Sequence, residues 1–205
     1  MKSEKAAYGM GALILAGGEN KRLPVRKGFL RVNNKTIVES NIELLNGIFD
    51  TVIISTNNPE LYFSFGVLMV GDTIDCRGPM TGILSALIIP EISEIFVTAC
   101  DMPFINVTLV KYIIGKWTTE WDAVIPIFDK KPQPLFGIYS KRLVRDMEED
   151  IRNGKRSLRG FLQRINVLYI GEEEVRHIDP EGRSFVNINT MEDFKREIGG
   201  EICLV

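Results

Sequence analysis

The stretch Ala12-Leu13-Ile14-Leu15-Ala16-Gly17-Gly18-Glu19-Asn20-Lys21-Arg22-Leu23-Pro24-Val25-Arg26-Lys27 joins an apolar run to a glycine pair and then to a basic loop. An apolar run without polar alternation is the pattern of a strand covered on both faces, here Ala12–Leu15. The two glycines let the backbone approach a ligand closely and turn its N–H groups toward phosphate oxygens. Arg22, Arg26 and Lys27 add three positive charges within one loop, suited to a triphosphate of roughly four negative charges. The spacing is not that of a P-loop, because no GxxxxGK[ST] string occurs, nor that of a GxGxxG dinucleotide fingerprint. The competing reading is a surface turn with solvated basic residues.

Working outward, the same kind of apolar run recurs at Val52–Ser55, Val67–Val70, Ile95–Ala99 and Ala123–Ile127. Helical patterns lie between them. Thr36 and Glu39 form a capping box, after which Val38, Ile42, Leu45 and Phe49 recur on one face. Ile83, Leu84, Leu87 and Ile88 mark a second helix behind Gly78-Pro79. Asn106 caps a third, with Val110, Ile113 and Ile114 inward and Gly115 as its stop. Leu143, Val144, Met147 and Ile151 mark a fourth, with Arg142/Asp146 and Arg145/Glu149 as i,i+4 pairs. Thr190 and Asp193 open a last helix through Phe194 and Ile198. Strand–helix–strand repetition predicts an α/β fold with a mainly parallel sheet between helical layers. Ligands then bind beyond the carboxyl ends of the strands.

The 205 residues, 45% of them hydrophobic and 25% charged, suit one sizeable core, and a net charge of -2 argues against a general nucleic-acid or anionic-membrane binder. All 205 residues are expected in one domain, with a flexible N-terminus over 1–10 and a tail over 200–205. Three separated cysteines (Cys76, Cys100 and Cys203) fit a reducing compartment, and a single histidine leaves little for a zinc site. The longest apolar stretch is broken by Pro90, Glu91 and Glu94, so no membrane span is expected and the protein is read as cytoplasmic. His177, in a polar stretch, reads as a surface residue.

Asp101 follows the Ile95–Ala99 run directly. A carboxylate there is poorly solvated without a cation or donors, and Mg2+ takes one or two carboxylates with phosphate oxygens and water completing its shell. Asp101 is therefore a metal candidate, or else a cap for the next turn. Asp72 also follows a strand and is either a ligand contact or a turn residue. Gly78-Pro79-Met80-Thr81-Gly82 opens a helix whose N-terminus can receive anions, although Gly-Pro is equally a loop signal.

These motifs, in this order, resemble those of the molybdenum cofactor guanylyltransferases, whose signature is LAGGxSxRMGxDK. Leu15, Ala16, Gly17, Gly18, Arg22 and Lys27 match it; Leu23 replaces a methionine, Pro24 a glycine and Arg26 an aspartate. Cys100–Phe104 matches the family's CDMPF segment, Gly78–Gly82 its GPLxG, Gln133–Tyr139 its QPL-x-A/G-x-Y, and Phe185–Thr190 the start of its FxNxNTPEDL ending. The likeness spans about Leu13 to Phe194. It implies a three-layer α/β/α sandwich with a Rossmann-like, mainly parallel sheet, and transfer of GMP from Mg-GTP to the phosphate of molybdopterin.

It further implies that Leu15, Ala16, Gly17, Gly18, Lys27, Ser55, Asp72 and Asp101 contact the nucleotide, with Lys27 and Arg22 on the departing pyrophosphate and Mg2+ on Asp101. Gln133, Arg156, Asn187 and Asn189 are implied on the acceptor side; the two asparagines, if in a strand, share one face. Cofactor chaperones or molybdoenzymes are the implied downstream partners. A cytidylyltransferase of the same fold would carry LAAG instead, and sugar-phosphate nucleotidyltransferases tend to lack the NxNT ending. A catalytically silent nucleotide-binding protein is the reading from a different class, sustained by Pro24 and Arg26.

Overall fold

Side chains along the central strands alternate between two apolar layers, and that alternation sets the architecture. The computed structural model describes residues 9–17, 27–32 and 34–199. In β1 (Met10–Leu15), Ala12 and Ile14 face one layer while Leu13 and Leu15 face the other, all buried. The same alternation holds in β4 (Val52–Ser55), β6 (Glu94–Ala99), β7 (Ala123–Phe128) and β9 (Gly137–Ser140). The first layer is supplied by α1 (Ile37–Asn46), α3 (Val107–Gly115) and α6 (Glu172–Ile178). The second comes from α2 (Pro79–Leu87), α4 (Val144–Arg152) and α5 (Leu158–Leu162). The molecule is thus the expected three-layer α/β/α sandwich.

With β5 (Leu68–Val70) and β10 (Val167–Ile170), the sheet runs in the order β10-β7-β9-β6-β1-β4-β5, and the short β8 (Lys131–Pro132) pairs with β7. All neighbours on this path are parallel except β9, which is antiparallel to both β6 and β7. A separate two-stranded ribbon joins β2 (Arg31–Val32) to β3 (Lys35–Thr36). Among the described residues, no helix is long and apolar enough to cross a membrane.

Local chemistry starts the helices where the sequence indicates. Thr36 and Glu39 close a reciprocal capping box on α1, and Asn106 accepts from the Thr108 and Leu109 N–H groups at the start of α3. Each such cap contributes about 1 kcal/mol. The ion pairs expected on the fourth helix are not among those formed by the described residues. Arg142 reaches Asp122 at 3.1 Å, and Arg152 pairs with Glu148 at 2.7 Å. The Arg142 backbone lies in a single 3-10 turn before α4, which frees its side chain to turn toward the start of β7.

The last helix, α7 (Met191–Ile198), has its own Thr190–Asp193 capping box and buries Phe194 with Leu30, Ile37 and Ile188 in a small third cluster. The Phe185–Asn189 segment before it is not a strand, so the condition for the two asparagines to share one face is not met; it leaves a 3-10 turn (Arg183–Phe185) in irregular conformation.

Candidate active site

Register places the functional motifs side by side. Leu15 stands opposite Ser55 on one flank and Ala99 on the other, and Ser55 stands opposite Val70. Four parallel strands therefore end at one level, and Gly17, Thr56-Asn57, Gly71-Asp72 and Cys100-Asp101 emerge along a single rim. The Ala16 N–H donates to the Ser55 carbonyl at 2.9 Å, and the Cys100 N–H donates to the Leu15 carbonyl at 3.0 Å. Gly17 is exposed, with no heavy atom of a described residue near the position its Cβ would take, at the centre of the rim. Gly18, Arg22, Pro24 and Arg26 lie outside the described residues.

Lys27 begins a 3-10 turn (Lys27–Phe29) seated on the end of β6. Gly28 makes that seat possible, because a Cβ there would lie 3.2 Å from Cys100 Cβ and 3.4 Å from its carbonyl oxygen. The turn delivers the Lys27 ammonium to Asp101, where Nζ donates to Oδ2 at 3.1 Å. The same ammonium donates to Asn189 Oδ1. Asn189 arrives there because the Ile188 N–H donates to the Asp101 carbonyl at 2.9 Å and Ile188 is fully buried. Three residues read separately in the sequence thus converge: Lys27, Asp101 and Asn189. Asn187 does not join them. Its Nδ2 donates to the Phe185 carbonyl at 3.1 Å, so the two asparagines have separate roles.

Next to Asp101, burial pushes the Cys100 thiol up to about 12, with the Asp101 carboxylate adding to the shift and Lys27 opposing it. The thiol is neutral at physiological pH and supplies no nucleophile. On the other flank, α2 comes down tightly onto β1 and β4. A Cβ on Gly82 would lie 2.6 Å from Ser55 Oγ and 2.7 Å from Leu15 Cδ2, so only glycine admits this approach. Ser55 is buried beneath that contact. Asp72 is gripped by a partner that sequence reading missed, Asn57, through hydrogen bonds of 2.6 and 2.9 Å. No spacing rule announces such a pair, since the residues sit on different turns.

Of the expected acceptor-side residues only Asn189 joins this cluster; Gln133 and Arg156, like Asn187, do not. Gln133 Nε2 donates to the Phe128 and Lys131 carbonyls at 3.2 and 3.3 Å, closing the turn between β7 and β8. That turn holds Asp129 and Lys130 at φ of 49° and 58°, an uncommon backbone region for side-chain-bearing residues. Arg156 is exposed in the loop between α4 and α5, and no contact among the described residues joins it to Lys27 or Asp101. His177 is exposed on α6, as expected.

Exposed Gly17 backbone, the Asp101 carboxylate at the end of a central strand and the Lys27 ammonium bonded to it form a candidate nucleotidyltransferase site on a doubly covered, mainly parallel sheet. Comparison with known proteins agrees. Residues 12–168 match the family described as "MobA-like NTP transferase domain". A protein of Peptoclostridium acidaminophilum named "Probable molybdenum cofactor guanylyltransferase" is 34% identical over 191 residues, covering 90% of this chain and 86% of its own. The "Molybdenum cofactor guanylyltransferase" of Syntrophotalea carbinolica is 35% identical over 186 residues, covering 90% and 89% respectively. The crystal structure of molybdopterin-guanine dinucleotide biosynthesis protein A from Archaeoglobus fulgidus superposes with a TM-score of 0.77 at 27% identity, over 93% of this chain and 97% of that one. The chain belongs to the MobA-like NTP transferase family and is a nucleotidyltransferase.

Proposed function

We infer that the protein is a molybdenum cofactor guanylyltransferase, moving GMP from GTP to the terminal phosphate of molybdopterin. The observation that carries this reading is the convergence of Lys27, Asp101 and Asn189 beside the exposed Gly17 backbone, in a chain with two relatives of that name. An oxygen of the molybdopterin phosphate attacks the α-phosphorus of GTP, a new phosphoanhydride forms, and the bond to the β-phosphate breaks as pyrophosphate departs. The attacking phosphate monoester is already ionised near pH 7, so no general base is required. Catalysis then rests on alignment and charge stabilisation.

Gly17, with Gly18 after it, presents backbone N–H groups to the phosphates. Lys27, with Arg22, meets the charge that builds on the leaving pyrophosphate. Leu15, Ala16 and Asp72 line the nucleotide's path along the rim, and Ser55, buried under Gly82, supports it from below. Asn189 orients the Lys27 ammonium, and Arg156 and Asn187 belong to the acceptor side, whereas Gln133 serves its turn.

The residues present fit Mg2+. Asp101 offers a half-buried carboxylate whose Oδ1 takes no hydrogen bond from a described residue, and one carboxylate shared with phosphate oxygens is a common donor set for this ion. When bound, Mg2+ supplies Lewis-acid polarisation and a template for the phosphates.

The test is pyrophosphate release from GTP, CTP, ATP and UTP with Mg2+ and molybdopterin, in wild type and Asp101→Ala. Release confined to GTP, dependent on molybdopterin and reduced about 100- to 1,000-fold in the variant is expected. A preference for CTP moves the protein to a cytidylyl activity, and GTP binding without turnover removes the enzymatic reading.

A further inference from the structure

Asn57 lies exposed in the turn after β4, and its whole carboxamide is engaged with one neighbour. Nδ2 donates to Asp72 Oδ2 at 2.6 Å, and Oδ1 accepts from the Asp72 N–H at 2.9 Å. An exposed polar pair adds at most about 1 kcal/mol to folding, so the pair is a weak stabiliser. Nor is it needed to place the backbone around Asp72. On one side the Thr56 N–H donates to the Val70 carbonyl at 2.8 Å, and on the other the Thr73 N–H donates to Ser85 Oγ at 3.1 Å. Ser85 is itself buried and donates to the Thr81 carbonyl at 2.9 Å. With the backbone held from both ends, Asn57 chiefly fixes the orientation of one carboxylate. The Asp72 Oδ1 atom takes no hydrogen bond from a described residue.

The sheet order says what that carboxylate faces. Asp101 follows β6 and Asp72 follows β5, three strands apart in the order β6-β1-β4-β5. Three strand spacings are about 14 Å. A nucleotide whose phosphates lie over Gly17 and Lys27 and whose body follows the rim therefore presents its nucleoside end to Asp72. We propose that Asn57 is a positioning residue for base recognition: it locks Asp72 so that Oδ1 accepts from the N–H edge of the base. For guanine that edge carries N1–H and the 2-amino group. A carboxamide is the side chain that fits, because it donates and accepts at once. An aspartate at 57 would set a second carboxylate against the first, and alanine would release it.

The proposal rests on the guanylyltransferase reading, and calorimetry on the full chain separates the two. GTP, ITP (which lacks the 2-amino group), ATP and CTP are titrated into wild type, Asn57→Ala, Asp72→Ala and the double variant, with Mg2+ present. The wild type is expected to bind GTP more tightly than ITP. Asn57→Ala weakens GTP about tenfold and ITP no more than about threefold, and it adds nothing in the Asp72→Ala background. Equal losses for GTP and ITP, additive losses in the double variant, no change, or a wild type blind to the 2-amino group would each overturn the proposal. So would a fall of more than a few degrees in the melting temperature of Asn57→Ala, which marks a structural role. A wild type that prefers ATP or CTP overturns the guanylyl reading instead; the 57–72 coupling is then judged with the preferred nucleotide.

Discussion

The carboxyl rim of the sheet has two halves built by the same rule and used differently. Over β6, β1, β4 and β5, polar groups emerge in register, each carboxylate with one oxygen left without a described donor: the Gly17 backbone, Asp72 held by Asn57, and Asp101 with Lys27 beside it. Over β7 and its antiparallel neighbours, the corresponding polar groups are engaged with one another. Gln133 closes a strained turn, Glu172 accepts from the Lys130 N–H at 2.9 Å, and Arg176 lies over the Phe128 ring, 4.1 Å from its centroid. Aromatic contacts run on from Phe128 to Phe185 and Phe136, with ring centroids 5.2 and 5.4 Å apart. On the proposed reading the first half, though partly cross-bonded, keeps Asp72 Oδ1 and Asp101 Oδ1, which accept from no described residue, for a ligand. The second uses them to hold the segment that reaches back over the first.

If that division is right, substitutions in the first half change activity with little effect on stability, and those in the second do the reverse. Lys27→Ala is the most demanding test. It should lower kcat/KM for GTP about 100-fold, since one preorganised cation is lost from the developing charge, while the melting temperature stays within a few degrees. A large fall in melting temperature instead would mean that the Lys27–Asp101–Asn189 contact is scaffold.

Asp150, on α4, gives a comparison in which only stability should change. It is buried, and the Arg164 guanidinium hydrogen-bonds both its oxygens, one of them at 3.1 Å, holding its carboxyl below the usual carboxylate range against the effect of burial. A depressed folded-state value means a stabilisation present above the unfolded value of about 3.9 and lost as pH falls through the folded one. Asp150→Asn should therefore lower the melting temperature at pH 7, with the difference from wild type fading on acidification below about pH 4. Its KM for GTP should match wild type. The smallest effect is expected for Gln133→Ala, which leaves two turn carbonyls without their amide donor. About 1 kcal/mol of stability should be lost in denaturant titrations, with GTP turnover unchanged. A selective rise in the KM for molybdopterin would return Gln133 to the acceptor site.

Much of the first half was legible because its signals are local. An apolar run ending in Gly17, a run ending in Asp101 and the Thr36–Glu39 box each carry their meaning within a few residues, and parallel register aligned them. What was illegible depends on distant chain. Nothing near Asn57 names Asp72, fifteen positions on and at the end of another strand. Whether Asn187 and Asn189 share a strand face was left open for the same reason, and the structure answers that they do not. The pull of Ile188 and Phe194 into a cluster with Leu30 and Ile37 fixes the path of that segment, where local pattern alone offered a strand. The helix ion pairs were misread because Arg142 found Asp122, twenty positions earlier, before the helix had begun.

The pairing of Lys27 with Asn189, 162 positions apart, sets an order of events during synthesis. Every strand of the sheet, through Ile170, leaves the ribosome before the residue that steadies the lysine does. A nascent chain can thus complete the described sheet while Lys27 still lacks its Asn189 contact, so on the proposed reading its cation is oriented only once the segment leading into α7 has emerged.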